Sequence, residues 1–576
     1  MKIILKTTIL LLIALISLIR VADSEEILFN GNKAFSSIEL HKIINSSMPA
    51  TSPDSLSTVI DIITETYHSA GYWNCKVSQN RLDGSTLNKA RKIIVNEGER
   101  FIFGDIVLDN LNNFQSEYLK SQVGKIKNRI ATKVILESYI AELLRFYSDN
   151  GRPYVFINAE DFIVDYEKKE VDVVLNVNEG PAVKIDTLVI RGIKTTCDYV
   201  IRREIQYLLG DGFDQRKLES AIERISRLGF VSVVESPGLY FDGIPSEGVL
   251  VFNIKENRNS IISGVFGYVP PESSQKEYIT GLLEISLANI MGTGRKARIF
   301  YSSPDPESKL INFSYTEPYF AGTPIDWTIG FNQIDRDSTY VNISAEVSLR
   351  YRAGLRTDLN LTLNSERTTP GNSALFPEER FTGYSARVGV SGSYYDYNDN
   401  PRKGNSINLG VKYIKRMYQN YESYVPEKPE INRTAADFNG SVVFPVRNSS
   451  VISLSAGAAG ITSDNSYLPI SERFNIGGRK TVRGYLEGRF YGSHIAYLRN
   501  EYRFLSGRDG RIFLFMDNGY YYYKTRQDTI EEKLISGFGF GITSKIRIGL
   551  ITVEFAWGEG DSFGDGKFHF GIENRF

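Results

Sequence analysis

Histidines and glycine-rich segments are the features of this 576-residue sequence whose residue types could support catalysis or ligand binding. His41, His68, His494 and His569 are scattered, whereas the ligands of a metal site usually recur at short intervals. The glycines of segment 537–541 alternate with phenylalanine, as in a strand, where glycine more often reflects close packing or a bend than a phosphate loop. The sequence therefore predicts no catalytic residue, no metal site and no cofactor, and the protein is not expected to be an enzyme.

Ion pairing is a chemistry for which suitable residues do occur in a pattern. In segment 495–504, Tyr497, Arg499, Glu501 and Arg503 occupy alternate positions, and the positions between them are mainly apolar. A guanidinium group presents a planar fork that can engage a carboxylate through two hydrogen bonds. The charged face is therefore predicted to line a polar interior in which its carboxylate can meet an arginine.

The elements that would carry this face are the strands of a large sheet, because strict alternation of apolar and polar residues begins near residue 260. In segment 341–352, apolar residues occupy every second position from Val341 to Tyr351, with polar residues between them. A period of two with charges on one face fits a strand between lipid and a wet lumen. About sixteen such segments begin near positions 260, 278, 295, 309, 324, 340, 354, 380, 404, 433, 449, 493, 510, 533, 546 and 567.

This count predicts a 16-stranded antiparallel transmembrane β-barrel over residues 259–576, with its longest connector at about 462–493. The aromatic content of 12% suits a membrane barrel, and it would also suit a soluble β-sandwich. A sandwich would rarely need so many strands with charges on one face, so the barrel is favoured. The last segment carries Phe568, Phe570 and Ile572 on one face and ends at Phe576, which resembles the terminal recognition signal of outer-membrane barrels.

Residues 1–24 have the pattern of a secretory signal peptide. Two lysines precede an apolar run at 9–19 that is too short to span a bilayer, and Ala22 and Ser24 are the small residues of a cleavage site. The mature chain is expected to begin near Glu25. No later stretch of about 18 apolar residues predicts a transmembrane helix.

Charge and cysteine content bear on two further properties of the chain, nucleic-acid binding and disulfide formation. Lysine and arginine (67) balance aspartate and glutamate (68), so no basic excess indicates nucleic-acid binding. Cys75 and Cys197 are far apart and fall in different repeats of the N-terminal half. They are expected to be small buried core residues rather than a disulfide.

The N-terminal half repeats itself with a period of about 80 residues. A turn follows an entry strand at Gly31, Asn110 and Gly192, as suits a site that needs positive φ. A helix-ending glycine and an exit strand recur with the same period: Gly71, Gly151 and Gly229, followed by Ile-Val-Asn-Glu-Gly at 94–98, Asn-Val-Asn-Glu-Gly at 176–180 and Asn-Ile-Lys-Glu-Asn at 253–257. Helical periodicity lies between these marks, as in Ile135, Tyr139, Leu143 and Phe146. Each repeat is thus predicted to run strand, helix, helix, strand, strand.

This order and these marks resemble the POTRA (polypeptide-transport-associated) domain in three α+β copies. The copies are placed at 25–99, 100–180 and 181–258, and the third departs from the pattern by ending in Glu256-Asn257 instead of Glu-Gly. The resemblance implies that the open edge of each small sheet guides client or partner chains by strand addition. A plain spacer that holds the barrel away from the cell wall is the alternative.

The connector at 462–493 contains the segment that points to a larger family. Val482, Arg483, Gly484 and Tyr485 resemble the sixth-loop signature of the BamA/TamA and two-partner-secretion transporter superfamily, and Phe-Met-Asp-Asn-Gly at 515–519 resembles a second motif of that family. Tyr-Thr-Glu-Pro-Tyr-Phe at 315–320 is a further match. The resemblance implies that the loop folds back into the lumen, where Arg483 pairs with Glu501 and Asp517. Phe513 and Phe515 share the face of Asp517.

Three repeats before a sixteen-stranded barrel most resemble the TamA branch of this superfamily. The resemblance implies a machine of the bacterial outer membrane, with its POTRA domains in the periplasm, that inserts or translocates unfolded outer-membrane protein clients into the lipid bilayer. It also implies a periplasm-spanning partner of the TamB type and a weak seam between the first and last barrel strands. Two alternatives stay open: a two-partner secretion pore that exports one large exoprotein, and a passive outer-membrane porin.

Overall fold

The computed structural model describes residues 27–573 with eighteen short gaps, and the chain forms two compact units. The gaps are 48–55, 81–90, 112–118, 120–121, 123, 242–243, 245, 258–259, 270–277, 304–307, 337–338, 372–379, 398–399, 420–429, 464–467, 508–509, 526–528 and 547–548. One unit lies within Met1–Thr187, Tyr207–Glu219 and Leu239–Leu250, and the other within Leu188–Gln206, Ser220–Gly238 and Val251–Phe576. The predicted signal peptide at 1–24 and the terminal Phe576 lie outside the described residues.

The N-terminal half alternates helices with short strands. In chain order the elements are β1 (Ile27–Asn30), α1 (Ser37–Ser47), α2 (Leu56–Ser69), β2 (Lys76–Asn80), β3 (Arg91–Asn96), β4 (Ile102–Asp109), α3 (Lys133–Asp149), β5 (Phe156–Asp165), β6 (Glu170–Asn178), β7 (Lys184–Arg191), α4 (Asp198–Ile205), α5 (Gln215–Arg227), β8 (Val231–Val233), β9 (Gly238–Phe241) and β10 (Glu247–Glu256). A 3-10 turn (Gln206–Leu208) follows α4. Among the helices that the structure describes, none is both long enough and apolar enough to cross a bilayer.

The three repeats share one strand order. It is β1-β3-β2 in the first, β4-β6-β5 in the second and β7-β10-β8 in the third. In the first two repeats the entry strand runs parallel to the exit strand, and the middle strand runs antiparallel to it. The third repeat adds β9, which pairs with β10 and which the sequence pattern did not predict.

The turn after each entry strand has the positive φ that its residue types predicted. The φ angles are 88° at Gly31, 58° at Asn110 and 90° at Gly192. A Cβ at Gly31 would lie 2.2 Å from the carbonyl oxygen of Val95, and one at Gly192 would lie 2.1 Å from that of Ile254. Val95 and Ile254 hold the same place in their exit strands, so one backbone packing explains the recurrence. The predicted helix-ending glycines also have positive φ: 96° at Gly71, 87° at Gly151 and 80° at Gly229.

The glutamate that recurs in the exit strands stabilises the turn after the entry strand. In the first repeat, Glu97 accepts hydrogen bonds from the amide of Ala34 (2.6 Å) and from the hydroxyl of Tyr67 (2.9 Å). In the third, Glu256 accepts one from the amide of Thr196 (2.7 Å). The glutamate therefore recurs because a carboxylate satisfies donors that the turn leaves unpaired.

The turn held by Glu256 is expected to weaken in acid. Partial burial opposes ionisation of this carboxyl, but hydrogen bonds from the Thr196 side chain and from the amides of Thr196, Thr195 and Lys194 lower its pKa from 4.5 to about 2. Because the folded-state pKa lies below the unfolded value, the stabilisation is present above pH 4.5 and is lost as the pH falls towards 2. Hydrogen exchange of the 195–196 amides, corrected for intrinsic rates, should lose protection across this window.

Two variants of the full chain in detergent test this expectation. Glu256→Gln should give lower protection at 195–196 that hardly changes between pH 5 and 2.5, a range over which the unsubstituted protein loses most of this stabilisation. Glu247→Gln, at the other end of β10, is the matched control and should behave as the unsubstituted protein does. A pH profile that Glu256→Gln leaves unchanged would show that another group titrates.

The C-terminal half forms one antiparallel sheet of sixteen strands. The strands are β11 (Ile261–Val269), β12 (Tyr278–Ile290), β13 (Arg295–Ser303), β14 (Lys309–Glu317), β15 (Ile325–Arg336), β16 (Tyr340–Arg352), β17 (Thr357–Pro370), β18 (Phe381–Ser393), β19 (Gly404–Tyr418), β20 (Glu430–Arg447), β21 (Ser450–Ser463), then β22 (Phe474–Ile476) and β23 (Phe490–Gly492) in a connector, and β24 (His494–Ser506), β25 (Gly510–Lys524), β26 (Ile530–Ile546), β27 (Gly549–Gly558) and β28 (Lys567–Glu573). The predicted count of sixteen is confirmed, and each strand begins within three residues of its predicted start.

Neighbouring strands of this barrel place apolar side chains outwards and polar ones inwards. Leu349 of β16 is paired with Leu361 of β17, and both are exposed. The adjacent pair, Ser348 and Thr362, points to the other face and is joined by a hydroxyl–hydroxyl hydrogen bond of 2.9 Å. Exposed leucines in register on one face are expected where lipid covers the sheet.

The two cysteines differ in environment. Both are free, as predicted, and Cys75 is buried in the core of the first repeat. The prediction that Cys197 is a buried core residue is wrong, because it precedes the first turn of α4 and is only partly buried. Its amide donates a hydrogen bond to the carbonyl oxygen of Gly292 (2.9 Å).

Candidate functional site

The candidate site is built around the connector between β21 and β24, residues 464–493, here called the sixth loop. Counted from β11, it is the sixth connection on its side of the sheet. From residue 468 it forms a short 3-10 turn (Ile470–Glu472) and an antiparallel hairpin of β22 with β23. The hairpin shortens the free length of a loop that would otherwise be mobile, and it presents residues 477–489 as a tip.

Arg483, at this tip, is fully buried among three carboxylates. Its Nε and Nη2 donate to the two oxygens of Asp517, each at 2.7 Å, and its amide donates to the same group at 3.1 Å. Its Nη1 donates to Glu501 (2.7 Å) and to Glu554 (2.8 Å). A bidentate pair with two further charged hydrogen bonds fixes both the position and the orientation of the guanidinium plane.

An aromatic floor supports the guanidinium group. The Cζ of Arg483 lies 3.5 Å from the ring centroid of Phe515 and 5.8 Å from that of Phe513. These two phenylalanines share the lumen face of β25 with Asp517, and all three are buried. The acid and the rings occupy one face because alternate residues of a strand point the same way, and the arginine can therefore contact both of them.

Further arginines compensate the remaining negative charge. Glu501 also pairs with Arg503 (2.7 Å) and Arg499 (3.4 Å), as expected for the charged face of β24. Arg479 of the loop lies 3.5 Å from Glu554. The carboxylates are therefore part of a network in which each one meets at least two positive or hydrogen-bonding groups, the arrangement that burial of charge requires.

The residues beside Arg483 seat the loop backbone against β26 and β27. Gly484 has φ 94°, and a Cβ there would lie 2.6 Å from the backbone of Gly558. The hydroxyl of Tyr485 donates to the carbonyl oxygen of Ser536 and accepts from the amide of Glu559, both at 3.0 Å. Val482 is buried in an apolar cluster with Ile476, Ile495 and Ile535.

Glycines on β26 provide the space that the site needs. A Cβ at Gly537 would lie 1.9 Å from the carbonyl oxygen of Arg483. At Gly541 it would lie 2.4 Å from the ring of Phe513. The interpretation of this glycine-rich segment as a packing feature of a strand is therefore confirmed.

The structure thus brings together six residues that the sequence singled out: Val482, Arg483, Gly484, Tyr485, Glu501 and Asp517. Glu554 belongs to the same site and was missed. The available signal was an acid on the inward face of the alternating segment 549–558. Phe568 and Phe570 are exposed on β28, and the backbone of Ile572 pairs with that of Ile551. Among the described residues, no group of histidine, cysteine, aspartate and glutamate side chains could hold a metal ion.

A second buried ionic group lies within the same compact unit, where α4 meets β15 and β16. Glu204 accepts hydrogen bonds from the hydroxyl of Tyr319 (2.7 Å) and from Nη1 of Arg352 (2.9 Å). Arg352 also donates to Asp326 at 3.0 Å. Tyr319 belongs to the segment 315–320 noted in the sequence, whereas Glu204 and Asp326 were missed, because nothing in the sequence shows which turn faces which helix.

The sixteen-stranded barrel, its buried sixth loop and the preceding α/β repeats define a class of barrel membrane proteins that carry N-terminal accessory domains. The Omp85 superfamily domain matches residues 289–576, and the POTRA family, described as a surface antigen variable number repeat, matches residues 183–257. The first match covers half of the sequence. The chain belongs to the Omp85 superfamily.

Curated relatives and a solved structure are also similar to this chain. The outer membrane protein assembly factor BamA of Neisseria meningitidis serogroup B is 23% identical over 479 residues, covering 76% of this chain and 58% of the relative. BamA of Nitratidesulfovibrio vulgaris is 22% identical over 551 residues, covering 87% and 65%. The crystal structure of BamA from Haemophilus ducreyi lacking POTRA domains 1-3 has a TM-score of 0.50 at 15% identity, covering 82% of this chain and 98% of that one. The chain spans less than two thirds of these curated relatives, and the structural likeness shows the fold alone.

Proposed function

We propose that the protein is an outer-membrane insertion and translocation machine that assembles β-barrel or autotransporter-type clients. The barrel residues would lie in the outer membrane, with residues 25–99, 100–180 and 181–258 as three periplasmic POTRA domains. The shared strand order of the three repeats supports this assignment. Three repeats before the barrel favour a role like that of TamA, with a periplasm-spanning partner of the TamB type.

The observation that carries the proposal is the pair of free edges at the two ends of the barrel sheet. In the described part of the chain, hydrogen-bonded neighbours run from β11 to β28, and no ladder joins these two strands. An unpaired strand edge is a template on which another strand can form hydrogen bonds. Client strands would add at this seam, and their own folding and burial in lipid would supply the free energy.

The sixth loop supports the same function over a passive porin. A loop held inside the barrel by a fully buried arginine narrows the lumen, and a wide water-filled channel would not require it. Planar-bilayer conductance that is large, steady and unchanged by substitution of Arg483 would favour the porin instead. Export of a single exoprotein without insertion of barrel clients would favour the two-partner secretion pore.

A covalent bond across the seam is expected to stop client insertion. Ile262 of β11 and Phe570 of β28 are both exposed. Cysteines are placed at these positions in a chain whose Cys75 and Cys197 are replaced by serine, and after oxidation non-reducing gels select the molecules that carry the 262–570 disulfide. We expect insertion of a reporter barrel into liposomes to fall about tenfold or more, because the template edges are occupied, and to recover on reduction.

The matched control joins strands that are already paired. Ile262 is the register partner of Ile285 on β12, so the Ile262→Cys, Ile285→Cys protein places the same cross-link one strand away from the seam. It should insert the reporter at the same rate when oxidised and when reduced. Equal insertion by the oxidised 262–570 protein would count against the seam as the insertion site.

A further inference from the structure

We propose that Glu472 is a second positioning residue of the sixth loop, which attaches the loop to the wall formed by β17–β20 independently of Arg483. Nothing in the sequence indicated this contact. The evidence for this contact is another buried ionic group, which is separate from the residues around Arg483 and plays no part in the proposed function.

The carboxylate of Glu472 is surrounded by donors from two strands. Its oxygens accept hydrogen bonds from Nε of Arg416 (3.1 Å) and from the hydroxyl of Tyr418 (2.8 Å), both on β19. Nη1 of Arg433, on β20, contacts the same carboxylate. The side chain of Glu472 has no exposed surface, and those of Arg416 and Arg433 are 5% and 1% exposed. Ion pairs shielded from water to this degree are weakly screened by salt.

The barrel wall is shaped to hold Arg416 in place. Its Nη1 lies 2.5 Å from Glu366 on β17, so the side chain crosses β18 to reach it. It passes over Gly383, where a Cβ would lie only 2.6 Å from that nitrogen, and its Cζ is 4.2 Å from the ring centroid of Phe381. Arg416 and Arg433 are matched in charge by Glu366 and Glu472, and Lys412 of β19 is a further cation close to this group. Without Glu472 the wall would keep a buried excess positive charge.

Apolar packing holds the same stretch of loop to the same wall. Leu468 is buried in a cluster with Ile414 of β19, Ala435 of β20 and Ile461 of β21. The start of the loop therefore lies against β19–β21 through two kinds of contact. Only the polar contact, that of Glu472, can be removed by changing one charged side chain.

The contacts of Arg483 and those of Glu472 lie on different strands and at different positions along those strands. The partners of Arg483 are on β24, β25 and β27, whereas those of Glu472 are on β19 and β20. Glu501 and Asp517 are each the eighth residue of their strands, while Tyr418 is the last residue of β19 and Arg433 the fourth of β20. The loop thus connects the outer end of one wall to the middle of another. If the proposed function holds, this connection limits how far the wall next to the seam can move.

Hydrogen exchange by mass spectrometry on the full chain in lipid nanodiscs tests this inference without reference to activity. Glu472→Gln removes the charge and keeps the shape of the side chain. We expect exchange in peptide 468–476 to speed up about tenfold or more, because a buried cationic wall remains, while peptide 478–486 stays protected by Arg483. Arg483→Ala should give the reverse pattern. The matched control is Glu430→Gln, which removes a half-exposed ion pair with Lys415 on the same two strands.

A milder variant keeps the test decisive if Glu472→Gln loosens the whole barrel. Tyr418→Phe removes one hydrogen bond to the Glu472 carboxylate and changes no charge, so exchange in 468–476 should speed up by less than in Glu472→Gln while 478–486 stays protected. Exchange in 468–476 equal to that of Glu430→Gln, in both Glu472→Gln and Tyr418→Phe, would overturn the proposal. This result would not bear on the seam, because no client is present.

Discussion

Replacement of Arg483 by alanine is expected to remove most of the insertion activity and leave the barrel folded. The substitution would leave Asp517, Glu501 and Glu554 buried without the guanidinium that joins them. Loss of one partner from a buried ionic group costs roughly 3–5 kcal/mol. We expect this cost to exceed the free energy that the loop tip gains from its remaining contacts in the lumen. The tip should therefore leave the lumen. The strands keep their hydrogen-bonded ladders, so heat-modifiable mobility on gels should persist while complementation fails.

Two further variants distinguish the bidentate hydrogen bonding of the Arg483 guanidinium from its positive charge and from a general disturbance of the loop. Arg483→Lys keeps the positive charge but cannot donate to both oxygens of Asp517 and to two other acids in one plane, so partial activity is expected. Arg489→Ala removes an exposed arginine of the same loop and should behave as the unsubstituted protein does. Full complementation by Arg483→Ala would show that the buried arginine is unimportant for function.

The barrel could be predicted from sequence because its environment imposes a two-residue period of apolar and polar side chains. Lipid on one side and a wet lumen on the other force alternation on each strand, and the alternation in 341–352 reappears as the outward leucines and inward hydroxyls of β16 and β17. In the repeats, the positive φ at Gly31 and Gly192 was predictable because glycine recurs where a turn follows the entry strand. The structure adds a reason for glycine, since a carbonyl of the exit strand leaves no room for a Cβ.

Helix faces follow less directly from the sequence than strand faces do. The apolar residues that show the helical period of α3 include Ile135 and Phe146, whereas the structure buries Leu136 and Tyr147 and leaves Ile135 and Phe146 partly exposed. Neighbouring positions are about 100° apart on a helix, so two adjacent apolar residues leave the stripe uncertain by one position. On the face that is buried, the hydroxyl of Tyr147 donates a hydrogen bond to the buried Glu179 (3.2 Å).

The partners of the acids at positions 554 and 472 could not be predicted from the sequence. The alternation of 549–558 shows only that Glu554 faces inwards, and Glu472 is one of several charged residues in an irregular segment. Which charges meet depends on the strand register and on the path of the sixth loop, both of which arise only when the barrel closes around the loop. Arg483 and Asp517 could be paired in advance only because their motifs resemble those of a known family.

Gly537→Ala is expected to displace the loop tip almost as completely as Arg483→Ala does, although it changes no charge. The added Cβ would lie 1.9 Å from the carbonyl oxygen of Arg483, a distance that no stable contact allows. Both atoms belong to backbone held by ladders or buried ion pairs, so neither can move by rotating a side chain. We expect insertion activity to fall about tenfold or more, with faster hydrogen exchange in 478–486.

Gly564→Ala is the matched control, since a Cβ there has its nearest neighbour 4.0 Å away at Ser562 and should leave activity unchanged. Combination with Arg483→Ala decides whether Gly537 acts through the loop. If it does, the double variant should be as active as the less active of the two single variants. The loop tip has already left its position in the lumen, so the second change removes no further contact. If the two losses multiply instead, Gly537 acts on the barrel wall itself, and the account of β26 as a seat for the loop is wrong.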